Sequence, residues 1–427
     1  MPPSELAAAP LGNPAKSESA AGQSLADDLR GSAPASCTGV DLAALDASIT
    51  RCLARRERYT ARVRLRGFTG LRRVAACGRV AVTDDGAVYL RGRTGDDCKA
   101  GFGGLSTCGS VWACPVCSAK VTVQRVAELD KLLKWNAARG GTVALATFTA
   151  SHHQGQRLMT LMDHMGGAWR YMTTGRAGKH WRKLRELLGC DGYVRALETT
   201  YRDENGWHVH YHLLLLFTGP VSESSIANFA DLLFTRWERA LQSQGMTASR
   251  RHGVDVRLGQ GATQSLEKLG EYMSKLTFEA AGGRFKRGRK MSRTAFEILA
   301  DGLETGLADD LELWLEWERA SKGRRQLLYS RGLKARAGID ELTDEEISAA
   351  KDEGETLVVL PRKTWREVYP IAVELLEATE AGGIAGAMLW LEDRKLLYEV
   401  PETTTDVASG TVRPRGRDRP TSVRRKR

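Results

Sequence analysis

At 427 residues the chain is too long for one ordinary domain, so two or three are expected, and its 42% hydrophobic content suffices for at least one full core. The apolar run Leu213 to Phe217 falls far short of the roughly 18–20 residues of a spanning helix, and the N-terminus has no basic-then-apolar leader, so neither a membrane span nor a signal peptide is expected and the compartment reads as cytoplasm. The formal charge is +11, but Thr411 to Arg427 alone carries +7, so overall basicity is weak grounds for a nucleic-acid partner.

In chain order, residues 1–45 are rich in Ala, Ser, Gly and Pro without periodicity and read as a disordered leader. Residues 46–138 open on Arg51, Arg55, Arg56, Arg58, Arg62, Arg64 and Arg66. Between Ala75 and Arg91, β-branched residues around Asp84-Asp85-Gly86 suggest a hairpin; a cysteine block follows, then a helix over about 118–138. Residues 139–293 give the order β-α-β-β-α-β-α: a strand at Thr142–Thr149, helix over 156–188, strands at Tyr193–Tyr201 and Trp207–Phe217 around the turn 202–206, helix over 222–244 capped by Ser222, a short strand at Gly253–Leu258 and a helix over 263–280. That order predicts an α+β fold with a ferredoxin-like, split βαβ antiparallel sheet. A helix-rich region, 294–400, holds a short strand at Thr356–Leu360 whose flanking helices suit a small winged DNA-binding unit, and 401–427 is a basic disordered tail.

His208-Val209-His210-Tyr211-His212 is the most informative stretch. Alternate residues of a strand share a face, so all three imidazoles point the same way. If Arg202 pairs with about residue 206, Glu198 lies opposite His210, and a slip of one residue would turn it away. Two imidazoles and a carboxylate suit a divalent cation, the carboxylate favouring Mn²⁺ or Mg²⁺. His210, His212 and Glu198 are therefore the expected ligands, with His208 a further ligand or a supporting residue.

Cys108, Cys114 and Cys117 have the spacing of a zinc knuckle, and in a chain with no secretion signal they suit Zn²⁺ better than disulfides. Three thiolates need a fourth ligand, either Cys77 or Cys98, with Cys77 preferred; a closed set would be structural. A redox pair or buried thiols are the alternatives, and Cys37, Cys52 and Cys190 stand alone.

On helical spacing, Tyr272 lies at the edge of the apolar face Leu266, Leu269, Met273, Leu276, so its ring can pack while its hydroxyl emerges. It is either a core-boundary tyrosine or a nucleophile. Free phenol, with a pKa near 10, is a poor nucleophile at neutral pH. A bound cation and Lys275, one turn on, would favour the phenolate. The cluster Arg284, Lys286, Arg287, Arg289, Lys290 and Arg293 beyond it is either solvated surface or a phosphate-binding segment.

These motifs carry a resemblance. His210 to Leu215 is similar to the His-hydrophobic-His motif of the HUH endonuclease superfamily, Trp207–Leu216 resembles its plasmid replication initiators, and Thr147-Phe148-Thr149 resembles the Thr-rich strand that precedes that motif. Glu271 to Lys275 resembles its tyrosine motif, and Cys108 to Lys120 the cysteine block of actinomycete plasmid initiators; together they span roughly 75–335. The resemblance implies an HUH catalytic domain with a zinc-binding N-terminal region and a helix-rich C-terminal region. It implies a rolling-circle initiator that nicks origin DNA, leaving a 5′-phosphotyrosine and a 3′-OH primer, rejoins strands at termination, and works with host helicase and polymerase. Lys268 stands where some initiators have a water-activating Glu, and Glu267 and Glu271 lie about 140° and 100° around the helix from Tyr272. A single-tyrosine transposase, or a zinc-stapled DNA-binding regulator without chemistry, are the competing readings.

Overall fold

The computed structural model describes residues 42–92, 99–259, 292–350 and 354–401. The chain divides into two compact units, 1–51 and 52–427, and every site discussed below lies in the second. Residues 1–41 of the leader, 402–427 of the tail, Cys98, the helix over 263–280 with Tyr272 and Lys275, and Arg284 to Lys290 lie outside the described residues.

The N-terminal part runs α1 (Leu42–Leu65), α2 (Arg72–Ala76), β1 (Val88–Gly92), β2 (Ala100–Gly103) and α3 (Pro115–Ala138). The turn expected near Asp84-Asp85-Gly86 exists, closed by Thr83 Oγ1 donating to Ala87 O and Ala87 N–H to Asp85 Oδ1. The hairpin does not fold back within 75–91 as expected, however. Ahead of the turn is only an isolated bridge, Ala81 to Leu105, and β1 pairs forward with β2, Leu90 opposite Phe102. Burial explains the difference: Val88 and Leu90 are fully buried, whereas Val80 and Val82 are exposed and have no core to pair them over.

The main sheet comprises β3 (Thr142–Thr149), β4 (Cys190–Arg202), β5 (Gly206–Phe217), β6 (Val254–Leu258) and β7 (Leu327–Tyr329). Its order is β6-β3-β5-β4-β7 with all neighbours antiparallel. The helix expected over 156–188 is two, α4 (Leu158–Thr173) and α5 (Gly175–Leu187), broken where Thr174 is extended and Gly175 has φ 57°. α6 (Glu223–Gln242) begins at Ser222, whose hydroxyl accepts from Ser225 N–H as expected of its cap.

Strand periodicity sorts β5 into two faces. Tyr211, Leu213, Leu215 and Phe217 pack beneath α4 and α6, where the Tyr211 ring meets Trp169 and Phe148 meets Trp237 edge-on at 5.7 and 5.3 Å. On the other face Leu214 and Leu216 pack with Leu129, Leu132 and Leu133 of α3. His208, His210 and His212 occupy the opposite end of this second face.

The remaining elements are α7 (Ala295–Thr305), α8 (Ala308–Ser321), α9 (Leu333–Arg336), α10 (Asp344–Ala349), β8 (Glu355–Leu360), α11 (Arg362–Val368) and α12 (Ala372–Asp393). The expected strand at Thr356–Leu360 is β8, but its partner is β1 from the far end of the chain, Leu90 facing Val358. Residues of β1, β8, α11 and α12 share one core around Leu90, Val358, Trp365 and Leu376. The protein is thus mixed α+β with two antiparallel sheets and a helical C-terminal part. No helix among the described residues is long and apolar enough to cross a membrane.

Candidate functional site

The β4–β5 hairpin sets the first cluster. Arg202 pairs with Gly206, whose φ of 72° suits the turn to glycine, and this register puts Glu198 directly opposite His210. Glu198 Oε2 lies 3.2 Å from His210 Nε2 and 2.9 Å from His212 Nε2. The three donor atoms lie within 4.8 Å of one another, a grouping able to hold a metal ion. Burial works against the Glu198 charge, but His210 and His212 hold the carboxyl well below the usual range. Thr147 of β3, opposite His212, puts its hydroxyl 3.0 Å from His212 Nδ1, which fixes the ring and directs Nε2 to the carboxylate. The donor set fits a divalent cation: both Nε2 atoms converge on one oxygen, and mixed imidazole–carboxylate ligation is ordinary for such ions.

His208 is not brought into this group. Its ring stacks on His210 at 4.9 Å, but its Nδ1 lies 2.9 Å from His152 Nε2, while His152 Nδ1 lies 3.1 Å from Asn205 O. Burial, then His210 and His152, push the His208 pKa down to about 3, so it stays neutral. Sequence reasoning missed His152; its one signal was the pair His152-His153 three residues beyond the Thr-rich strand.

The second cluster is built by α2 and the start of α3. Cys77 ends α2, Cys114 caps α3 ahead of Pro115, and Cys117 sits in the first turn of that helix. Cys77, Cys108, Cys114 and Cys117 are all buried and close on one another, the fourth partner being Cys77. Sulfurs of Cys77 and Cys117, Cys108 and Cys117, and Cys114 and Cys77 are 3.5, 3.6 and 3.7 Å apart. That excludes disulfides, whose S–S distance is about 2.05 Å. Four thiolates at about 2.3 Å from a tetrahedral zinc would stand roughly 3.8 Å apart, so the spacing fits.

Arg62 adds an independent observation. It is buried against the rings of Tyr59 and Tyr369, 4.5 and 5.6 Å away, and among the described residues its Nε and Nη2 have no hydrogen-bond partner. Burial opposes its charge, while Tyr59, Cys114 and Cys77 raise its pKa. A buried cation without an acceptor is costly, and a four-thiolate centre, net negative even with a divalent ion, offsets that cost. Gly78 is required here: a Cβ at this φ of 68° would lie 2.2 Å from Arg62 Nη1.

The two clusters are neighbours. Ser118, after the last cysteine, and Thr199, after Glu198, line one small cavity of about 40 Å³. Of the expected basic segment only Arg293 is described. Its guanidinium lies 2.7 Å from Asp310, with Asp301 and Asp203 each at 3.3 Å, and its backbone bridges Tyr201.

The protein thus combines an antiparallel sheet, with a His-Glu triad at one end, and a knot of four cysteines, two groups that could each hold a metal ion. The chain belongs to the Replication protein family, whose model matches residues 105–358. It is similar to "Protein rep" of Streptomyces lividans, 29% identical over 345 residues covering 65% of this chain and 75% of that one. It is also similar to a "Neomycin resistance protein" of Streptomyces cyanogenus, 32% identical over 157 residues, 32% of this chain and 35% of that one. No solved structure matches. The family match and the likeness to "Protein rep" bear out the resemblance to actinomycete replication initiators that the motifs suggest.

Proposed function

We propose that the protein initiates rolling-circle replication of a plasmid by a metal-assisted, tyrosine-dependent cut in single-stranded origin DNA. The convergence of Glu198, His210 and His212 on one point carries this reading. Two further features support an HUH assignment. Strands β6-β3-β5-β4 stand in the order and orientation of a split βαβ, ferredoxin-like sheet, and Thr147 of the Thr-rich strand holds His212.

His210, His212 and Glu198 would hold Mn²⁺ or Mg²⁺, which polarises the scissile phosphate and screens its charge. Tyr272 Oη attacks phosphorus, the P–O3′ bond breaks, and the 3′-oxygen leaves as a hydroxyl once protonated. The phosphotyrosine retains the phosphoester bond, so the reverse attack by a 3′-hydroxyl rejoins strands. Lys275 stabilises the phenolate. Cys77, Cys108, Cys114 and Cys117 would hold a structural Zn²⁺ that ties α2 to α3. Arg284 to Lys290 bind origin DNA together with the outer regions, and the 3′-hydroxyl is the primer for host polymerase.

Incubation with single-stranded origin DNA and Mn²⁺, followed by denaturing electrophoresis, tests the reading. A covalent adduct is expected that disappears in Tyr272→Phe and in His210→Ala. An adduct that persists in Tyr272→Phe overturns the nucleophile.

A further inference from the structure

The sheet face away from the histidines holds a feature that nicking does not use. A cavity of about 310 Å³ opens between α4, the β4–β5 pair and the loop from α8 to β7. Arg170, Arg195, Arg324 and Arg325 all line it, and none of its nine lining residues is acidic. Trp169 and Tyr211 form its walls.

The state of each arginine is informative. Arg195 projects from the sheet, its guanidinium 4.4 Å from the Tyr211 ring and 5.2 Å from Trp169, and its buried Nε has no hydrogen-bond partner among the described residues. Burial pushes its pKa down, as expected of a cation lacking a counter-charge. Arg324 has one carboxylate partner, Asp163 at 2.6 Å, and gives its Nε–H to Ala320 O. Arg170 and Arg325 are exposed at the mouth, and among the described residues neither has an ion pair. Four guanidinium groups against one carboxylate leave a surplus of positive charge in a partly desolvated hollow.

Guanidinium groups match phosphate oxygens by paired N–H donors, and a cavity of this size, at the lower end of ligand pockets, takes more than a bare ion. We propose that this cavity is a second, metal-independent site for a phosphoryl group carried on a nucleotide unit. The source is either a phosphodiester of single-stranded DNA or a free nucleotide. Tyr211 lies between His210 and His212 in β5, so an occupant would press on the strand that presents the triad. The expectation of DNA rests on the proposed function; the phosphate chemistry does not.

The test uses the full chain without added Mn²⁺ or Mg²⁺ and without a chelator, so that the cysteine centre is left as it is; binding rather than cleavage is read, so a failure of the nicking reading leaves it intact. Anisotropy of a fluorescein-labelled single-stranded 20-mer oligodeoxynucleotide is followed against NaCl concentration. Arg170→Ala/Arg325→Ala and Arg195→Met are compared with Lys363→Ala/Arg366→Ala, which removes exposed charge on α11 and sets the background. Melting curves with and without dAMP or inorganic phosphate are recorded for each. For strand binding, the pocket variants lose affinity beyond background, and the log–log salt slope shrinks by about 0.7 per lost contact. For a free nucleotide, dAMP raises the melting temperature of the wild type but not of Arg195→Met, while oligonucleotide binding stays at background. Neither response, in variants that melt like the wild type, overturns the site.

Discussion

Thr147 would decide how His212 serves a cation held by the triad. Its hydroxyl holds Nδ1 at 3.0 Å, so the imidazole cannot swing its Nε2 away from Glu198. Thr147→Val keeps the shape and deletes that bond. Mn²⁺ affinity by titration calorimetry should fall about 10-fold, within the range for loss of a residue that orients a ligand. Unchanged affinity would mean that strand pairing alone orients the ring. Glu198 was legible in the sequence because a strand's two-residue period and a glycine-ended turn leave only one register that faces it to His210. The pairing of His152 with His208 was not legible. It depends on the loop after β3 meeting the turn after β4, a proximity that no local periodicity encodes.

At the scale of elements, α3 links the cysteine knot to the strand that bears the histidines: Cys114 precedes it, Cys117 lies in its first turn, and its middle packs on Leu214 and Leu216 of β5. Cys117→Ser should release a zinc that the wild type holds at about one per chain, and lower the melting temperature. His210→Ala should keep that zinc. Zinc retained by Cys117→Ser and lost from His210→Ala would reverse the two assignments.

The same helix is fastened farther along by a buried ion pair. Lys334 of α9 lies 2.9 Å from Glu128, with both side chains almost wholly buried. Arg125 Nη1 and the Tyr329 hydroxyl also reach this carboxylate, at 2.7 and 3.1 Å. Lys334→Met should cost about 3 kcal/mol in denaturant unfolding, the low end for breaking a buried pair, because Arg125 still partners Glu128. A loss under 1 kcal/mol would show that Arg125 and Tyr329 suffice. The existence of α3 was legible, but this fastening was not, since Glu128 and Lys334 are far apart in sequence.

In the whole molecule, the two ends of unit 52–427 are built into one another. β8 covers β1, and Arg55 forms a paired contact with Glu380 of α12 at 2.7 and 2.6 Å. A chain ending at residue 350 should therefore leave Val88 and Leu90 without their partner strand. Limited proteolysis is expected to cut it between 53 and 103 while Mn²⁺ binding at the triad persists. Protection equal to the full chain would mean that β1 and β2 are stable alone.

The sequence by itself determined four of the five strands of the main sheet, all but β7, the face that carries the histidines, the carboxylate opposite them and the cysteine spacing. Each follows from periodicity, turn chemistry or ligand geometry over a few residues. Tertiary structure brought Cys77, already the preferred partner, into the knot, and it alone decided that a buried Arg62 lies beside that knot, that His208 pairs with His152, and that β8 joins β1. It also gathered four arginines from three parts of the chain into one cavity. Those outcomes rest on burial and on meetings between distant segments, where the cost of an unpaired strand edge or a buried charge selects the partner.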